Sequence, residues 1–275
     1  MEFERTIKPK KGLIPIDFQE LWQYRELFWF LAWREVIIRY KQTALGILWA
    51  LIQPLLTMVV FTFIFGRLAG FANDSTAPYA MITLSGVVVW QFFSDAMSTS
   101  GQSLVSQSNL ITKVYFPRLI VPTTYVISAA VDFGIAMVIL FILMGVFQII
   151  PTPILMLLPV FFLIAAMAAL GAGLWLSALN VKYRDVKHII PFIVRLGMYI
   201  SPVGFLSSKI PDQYRFIYSL NPMVGAIEGF RWCILGPGYA PYWPGFWLSF
   251  GMVAALLVSG IYYFRYVERS FADVV

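Results

Sequence analysis

The fold of this chain is decided by residues 34–65, which read REVIIRYKQTALGILWALIQPLLTMVVFTFIF. Residues 44–65 contain no Asp, Glu, Lys or Arg. As a helix with a rise of about 1.5 Å per residue, this run covers a hydrocarbon core of roughly 30 Å. The cations just before it, Arg34, Arg39 and Lys41, are typical of the cytoplasmic side of a span. The stretch therefore predicts a first membrane helix that sets the orientation of the rest.

The composition excludes a soluble domain and a nucleic-acid-binding protein. The chain is 60% hydrophobic and 12% charged, whereas a soluble domain carries about twice that charge. The net charge is +6, but the basic residues cluster at the ends of apolar runs, which is the pattern of membrane orientation. We predict an all-α polytopic membrane protein that is surrounded by lipids and binds no nucleic acid.

Six apolar runs are predicted to cross the membrane. They cover about residues 44–65, 79–101, 117–147, 154–179, 189–205 and 246–266. Fifteen Lys and Arg residues fall in the segments on one side of these spans and four on the other. This bias predicts that the N-terminal segment 1–43 and the tail 267–275 are both cytoplasmic.

Two further segments are partly apolar but are not predicted to cross the membrane. Residues 17–33 place three tryptophans, Trp22, Trp29 and Trp33, on one helical face, which is typical of an amphipathic helix in the cytoplasmic interface. Residues 223–235 form a mainly apolar run of 13 between the fifth and sixth spans. Such a run is too short to cross, so we predict that it enters the outer leaflet and returns.

Charged side chains inside the predicted membrane segments are functional candidates, because each is costly in lipid. Asp95, Asp132 and Arg195 could serve a proton-coupled carrier or could pair helices structurally, and both interpretations stay open. Glu228 and Arg231, one turn apart in the run 223–235, could neutralise each other.

No catalytic, metal-binding or ATP-binding pattern is found in the sequence. His188 and Cys233 are the only histidine and the only cysteine, so a Cys/His cluster cannot form. The phosphate-binding pattern Gly-x-x-x-x-Gly-Lys-Ser/Thr is missing. We predict that the chain is not an enzyme by itself and binds no cofactor.

Aromatic side chains are unusually frequent, at 17% of the chain. Helix packing and the interfacial belt explain most of them. The sharper hypothesis is a conduit whose aromatic walls hold sugar rings weakly. The candidates on the first two spans are Trp49, Phe61, Phe65 and Trp90.

The segment 102–116 mixes polar with apolar residues between two spans, which suits a short helix docked in a groove of another protein. An exposed connecting loop is the alternative. The residues predicted to make this contact are Gln107, Asn109, Leu110, Lys113, Tyr115 and Phe116.

Several segments in register resemble ABC-2 type permeases that export polysaccharides. They are RYKQTALGILW (39–49), NLITKVYFPR (109–118), NVKYRD (180–185), SPV (201–203), NPM (221–223) and ERSFADV (268–274). The resemblance implies a homodimer of six-span subunits with two copies of a P-loop ABC ATPase that holds ATP and Mg. It implies that the interfacial helix and the 102–116 segment meet this ATPase. It also implies an outer gate between spans five and six, here with Pro222, Glu228 and Arg231.

The substrate comes from the resemblance as well. It implies export of lipid-linked O-antigen polysaccharide across the bacterial inner membrane, most like the O-antigen permeases. Capsular polysaccharide and teichoic acid permeases share the motifs and stay alternatives, as does a lipid or drug exporter of this fold. An ion-coupled secondary transporter is the alternative of another class, although no internal repeat in the sequence supports it. A membrane-bound transferase is a third alternative, but the sequence does not offer the acid and base residues that its catalysis needs.

Overall fold

The computed structural model describes residues 18–41, 46–74, 76–183 and 185–268. The predicted segments at 1–17 and 269–275, and the motif residues at 42–45 and 184, lie outside the described residues. Every regular element in the described part is a helix. The helices are α1 (Phe18–Gln23), α2 (Arg25–Lys41), α3 (Gly46–Phe61), α4 (Tyr79–Ser106), α5 (Ser108–Lys113), α6 (Ile120–Val146), α7 (Leu158–Lys182), α8 (Val186–Ile200), α9 (Asp212–Tyr218), α10 (Pro222–Leu235) and α11 (Trp243–Glu268).

Shorter helical segments join some of these helices. A π-helical segment, Thr62–Leu68, prolongs α3, and 3-10 turns lie at Phe71–Asp74, Pro153–Leu157, Ser207–Lys209 and Pro237–Tyr239. The stretch Pro153–Lys182 is therefore continuous with α7.

Five helical stretches are long and apolar enough to cross a membrane. They are Leu48–Leu68, Tyr79–Ser106, Ile120–Val146, Pro153–Lys182 and Trp243–Glu268. These stretches coincide with five of the six predicted spans. Their ends differ from the prediction by a few residues, because the helices begin after Pro117 and continue past residues 101 and 179 into polar sequence.

The remaining predicted span, 189–205, is not a helix over its whole length. It forms α8, which has 15 residues and ends at Ile200. A helix of that length is about 22 Å long, which is less than the hydrocarbon core of roughly 30 Å. The helix stops there because Pro202 forces Ser201 into an extended conformation, with φ −84° and ψ 155°.

α4 is the central helix of the bundle. Eighteen of its 24 residues between positions 81 and 104 are buried. Small residues on α7 make this possible, since Ala165, Ala169 and Gly173 are all buried. A Cβ added to Gly173 would lie 2.5 Å from Oγ of Ser100, so this glycine brings α7 close to α4.

The predicted N-terminal helix is divided into α1 and α2, which meet at Tyr24. The backbone stays continuous there, because the amide of Phe28 donates to the carbonyl of Tyr24 at 2.9 Å. Trp22, Trp29 and Trp33 are all exposed on the surface of the chain.

α7 and α11 are in backbone contact at a pair of glycines. A Cβ added to Gly260 would lie 2.5 Å from the carbonyl oxygen of Gly171, and one added to Gly171 would lie 2.8 Å from Cα of Leu257. No side chain fits between the helices at this point without separating them.

We expect Gly260→Ala to destabilise the protein by about 2 kcal/mol, because the added methyl overlaps the backbone of α7. Gly251→Ala is the matched control on the same helix, since its added Cβ has no atom within 4 Å. Thermal unfolding in detergent measures both variants. Equal midpoints would show that α7 and α11 can separate freely.

Candidate functional site

A cluster of charged side chains joins α2, α4 and α6. Nη1 of Arg39 donates to Oδ2 of Asp95 at 2.8 Å and also to Oδ2 of Asp132. The hydroxyl of Tyr40 donates to the other oxygen of Asp132. Two predicted functional candidates are therefore held by the last turn of α2.

The electrostatics of the cluster favour a charged Arg39 and a neutral Tyr40. Burial opposes the charge of Arg39, but the carboxylates of Asp95 and Asp132 outweigh burial and raise the pKa of Arg39. Burial and the hydrogen bond to Asp132 also raise the pKa of Tyr40. One guanidinium thus neutralises part of the charge of two carboxylates, and the three helices are tied together.

This cluster was not predicted, because Arg39 was assigned to the cationic end of the first span. Two aspartates in neighbouring spans, with a cation preceding them, were the signal that could have suggested it. The third candidate, Arg195, lies elsewhere. It is exposed on α8, and no carboxylate in the described part of the chain forms an ion pair with it.

The predicted gate residue Arg231 is a buried anchor, with 1% of its surface exposed. Its Nε donates to the carbonyl of Ile82 on α4 at 3.2 Å. Its Nη2 donates to the carbonyls of Pro202 and Val203 at 2.8 and 3.4 Å. Gly86 leaves space for this contact, since a Cβ there would lie 2.9 Å from Nη2. Arg231 therefore fixes α10 against α4 and the turn at 201–205.

The predicted neutralisation of Arg231 by Glu228 is not a direct ion pair, since none between the two is found among the described residues. The donors of Arg231 are directed to backbone carbonyls instead. Glu228 and Arg231 line a polar cavity of about 290 Å³. The hydroxyl of Tyr239, also on the cavity wall, accepts a hydrogen bond from the amide of Ala77 at 2.8 Å.

The third predicted gate residue, Pro222, is the first residue of α10. Asn221 caps the helix, because its Oδ1 accepts from the amide of Met223 at 3.0 Å. The Nδ2 of Asn221 donates to Oγ of Ser201 at 2.9 Å, so the start of α10 is also attached to the turn after α8.

Two of the four predicted pore aromatics are packed inside the chain. Trp90 is 4% exposed and Phe61 is 5% exposed. A Cβ on Gly197 would lie 2.7 Å from Cη2 of Trp90, so this indole packs tightly on α8. Phe65 is half-buried and its ring lies 5.4 Å from that of Phe61, whereas Trp49 is exposed.

The predicted coupling segment has an inner side, which packs on the helix bundle, and an outer side, which is exposed on the surface of the chain. On the inner side, Nε2 of Gln107 donates to Oε1 of Glu35 at 3.0 Å, and Phe116 is buried. On the outer side, Tyr115 is 64% exposed. Asn109 and Lys113 are exposed as well, and Leu110 is half-buried.

The segment after α5 is held by the last residue of α11, a contact that the sequence did not suggest. Nη1 of Arg118 donates to the carbonyl of Glu268 at 2.8 Å. The carboxylate of Glu268 also accepts from Nη1 of Arg265 at 2.8 Å. The end of the last helix is therefore attached to the chain just after the predicted coupling segment.

We expect Arg39→Gln to lower the unfolding midpoint clearly, because the carboxylates of Asp95 and Asp132 would then face each other without a cation. Adding Asp132→Asn should restore part of the loss, with a coupling energy of about 1 kcal/mol. A thermal-unfolding double-mutant cycle measures it.

Arg195→Gln is the control for this cycle, because it removes the same group from an exposed position and should change stability by less than about 0.5 kcal/mol. If Arg39→Gln matches this control, the cluster does not stabilise the protein. If the effects of Arg39→Gln and Asp132→Asn are simply additive, the two side chains do not stabilise the protein through their interaction.

Comparison with known proteins identifies the family. A family model described as ABC-2 type transporter matches residues 26–235. The O-antigen export system permease protein RfbA of Myxococcus xanthus is 30% identical over 215 residues, which cover 78% of this chain and 82% of that protein. The capsule polysaccharide export inner-membrane protein CtrC of Neisseria meningitidis is 25% identical over 219 residues, covering 77% and 80%. The polysialic acid transport protein KpsM of Escherichia coli is 24% identical over 217 residues, covering 75% and 80%.

The matched region begins in α2 and ends with α10, so it contains the charged cluster, the coupling segment and most of the residues that line the Glu228 cavity. The resemblance inferred from the sequence motifs is thereby confirmed. The chain belongs to the ABC-2 type transporter family.

Proposed function

We propose that this chain is the transmembrane subunit of an ATP-driven exporter that moves lipid-linked O-antigen polysaccharide across the bacterial inner membrane. The observation that carries the proposal is its similarity, over 78% of its length, to an O-antigen export permease at 30% identity. The capsule and polysialic acid relatives are less similar, at 24–25%. They support polysaccharide export in general, and they make capsular polysaccharide the second substrate to test.

The proposed topology has six spans, with α8 and the turn at 201–205 forming the fifth. Its support is the packing of α8 along α4. A Cβ on Gly101 would lie 3.3 Å from Cδ1 of Ile190, and a Cβ on Gly86 would lie 2.7 Å from the carbonyl oxygen of Val203. α8 and its turn thus accompany α4 from residue 101 to residue 86, a distance of about 22 Å at the helical rise.

α10 is the proposed re-entrant helix. It has 14 residues, so it is about 21 Å long and too short to cross. It is attached to the N-terminal end of α4 by Arg231, through the carbonyl of Ile82. The Lys/Arg bias assigns that end of α4 to the outer side and both chain termini to the cytoplasm.

α1 and α2 are proposed to lie in the cytoplasmic interface, where exposed tryptophans are favourable. The exposed surfaces of Trp22, Trp29 and Trp33 support this position. Arg39, at the far end of α2, is hydrogen-bonded to two spans, so the interfacial helix would transmit movement into the bundle.

The proposed assembly is a homodimer with two copies of a separate P-loop ABC ATPase, which holds the ATP and Mg. The proposed contact with the ATPase is the solvent-exposed side of the coupling segment, formed by Asn109, Leu110, Lys113 and Tyr115. Gln107 connects this segment to Glu35 on α2. A force that the ATPase applies at this contact would thereby be transmitted to Arg39 through α2, which carries both Glu35 and Arg39.

We expect Tyr115→Ala to weaken the association with the ATPase by about 2 kcal/mol, because a docked helix takes most of its binding energy from a few anchors. The ATPase retained on the purified permease, and the polymer at the cell surface, should both fall. Tyr266→Ala is the matched control, since Tyr266 is an equally exposed tyrosine on α11. Wild-type retention by Tyr115→Ala would assign the contact to α1 and α2 instead.

Deleting the gene in its host tests the substrate. We expect the O-antigen chains to disappear from the cell surface, with unfinished polymer accumulating inside, while any capsule stays intact. Complementation with the wild-type gene should restore the chains. Loss of the capsule with intact O-antigen would replace the first substrate by the second.

A further inference from the structure

Between residues 81 and 104 of the central helix α4, the residues that are not buried form one stripe, and that stripe is entirely polar. Between residues 81 and 104, every apolar residue of α4 is buried. The residues that are not buried are Gln91, Ser94, Asp95, Ser98, Thr99 and Gln102. Their spacing of three or four residues places them on one face of the helix. The stripe is about 16 Å long at the helical rise.

A polar stripe that contains a carboxylate and two amide side chains is unfavourable against lipid, although Ser94, Thr99 and Gln102 donate to carbonyls of their own helix. Polar groups in the hydrocarbon region are costly unless they meet a polar partner or water. The exposed side chains near the middle of α6 are of the opposite kind, namely Val138, Phe141 and Ile142. α6 therefore shows a lipid-facing surface, and α4 shows a water-facing one.

α3 and α8 both pack against α4. These two helices meet through the rings of Phe61 and Tyr199, whose centroids are 6.1 Å apart. Gly197, two residues before Tyr199, packs on Trp90, and the stripe begins at the next residue, Gln91. The stripe therefore starts where the aromatic contacts of α3, α4 and α8 end, and it runs away from them along α4.

Two charged groups lie at the level of the stripe, since α8 runs beside α4 from Ile190 at Gly101 to Gly197 at Trp90. Asp95 lies on the stripe and is held by Arg39, yet 42% of its side chain is exposed. Arg195 is exposed on α8, one helical turn before Tyr199 and so on the same side of that helix. Water is needed around both groups, because an exposed charge in hydrocarbon is strongly unfavourable.

We propose that this stripe is the floor of the conduit in one subunit and that its occupant is the hydroxyl-rich sugar chain of the polymer. Amide and hydroxyl side chains both donate and accept hydrogen bonds, which matches the sugar hydroxyl group. The polar side chains of α4 hold the chain, whereas the buried aromatics Phe61 and Trp90 pack the helices. This assignment deepens the proposed function and rests on it for the identity of the occupant.

Cysteine accessibility tests the water-facing stripe without any substrate. Cys233 is buried and is the only cysteine, so Cys233→Ala gives a cysteine-free background. In that background, Ser98→Cys should react with a positively charged methanethiosulfonate at least tenfold faster than two controls. Ser103→Cys is the same change at a fully buried position of α4, and Val138→Cys lies on the exposed apolar face of α6.

The reaction is measured on the complete transporter in membranes from cells in which polymer synthesis is blocked. Slow labelling of Ser98→Cys, equal to that of both controls, would overturn the conduit, because the stripe would then be covered by protein or lipid. Fast labelling supports it, whichever substrate the transporter carries.

The same labelling in membranes from polymer-producing cells tests the occupant. The sugar chain should slow the modification of Ser98→Cys at least threefold, and Gln91→Leu with Gln102→Leu should lower polymer export at unchanged protein level. Fast labelling that the polymer does not change would overturn the sugar chain as occupant. If the wild-type transporter exports no polysaccharide, the proposed function fails, and the labelling still decides whether the stripe faces water.

Discussion

The arrangement of the bundle depends on the guanidinium of Arg39 between the carboxylates of Asp95 and Asp132. Breaking a buried or half-buried charge pair is expensive, because a charge left without its partner must be solvated again. The end of α2 therefore cannot leave α4 and α6 without a large cost. The N-terminal helix, which is exposed along most of its length, is in this way a fixed part of the bundle.

Close packing of small residues is the second interaction that holds the helix bundle together. α7 meets α4 at Gly173 and meets α11 through Gly171 and Gly260. Helices that approach to backbone contact gain dispersion energy along their whole length. The helices α4, α7 and α11 thus form a rigid unit, on which the polar stripe of α4 is held at a fixed position.

The sequence alone predicted the features that depend on local pattern. Apolar runs of sufficient length located five spans, and the short apolar run between the last two predicted spans located α10. The end of α8 was placed too late, because the effect of Pro202 on Ser201 was outweighed by the apolar residues on either side. Family membership followed from motifs that are local too, and the comparison with known proteins confirmed it.

The features that depend on distant neighbours were missed for a physical reason. Arg39 fits the charge bias of a span as well as it fits an ion pair, and sequence spacing does not separate the two. Trp90 and Phe61 were chosen as pore residues from their position on a span. Whether an aromatic ring faces a helix or a cavity is set by the residue opposite, such as Gly197 on α8, more than 100 positions away.

The coupling segment is fixed at both of its ends. Gln107 is bound to Glu35 on α2, and Arg118 is bound to Glu268 at the end of α11. If the proposed ATPase contact is made at this segment, a sideways push on its exposed side would be transmitted to α2 and α11, the two helices that hold it. α2 and α11, near the two ends of the described chain, would then rotate together relative to the rest of the bundle.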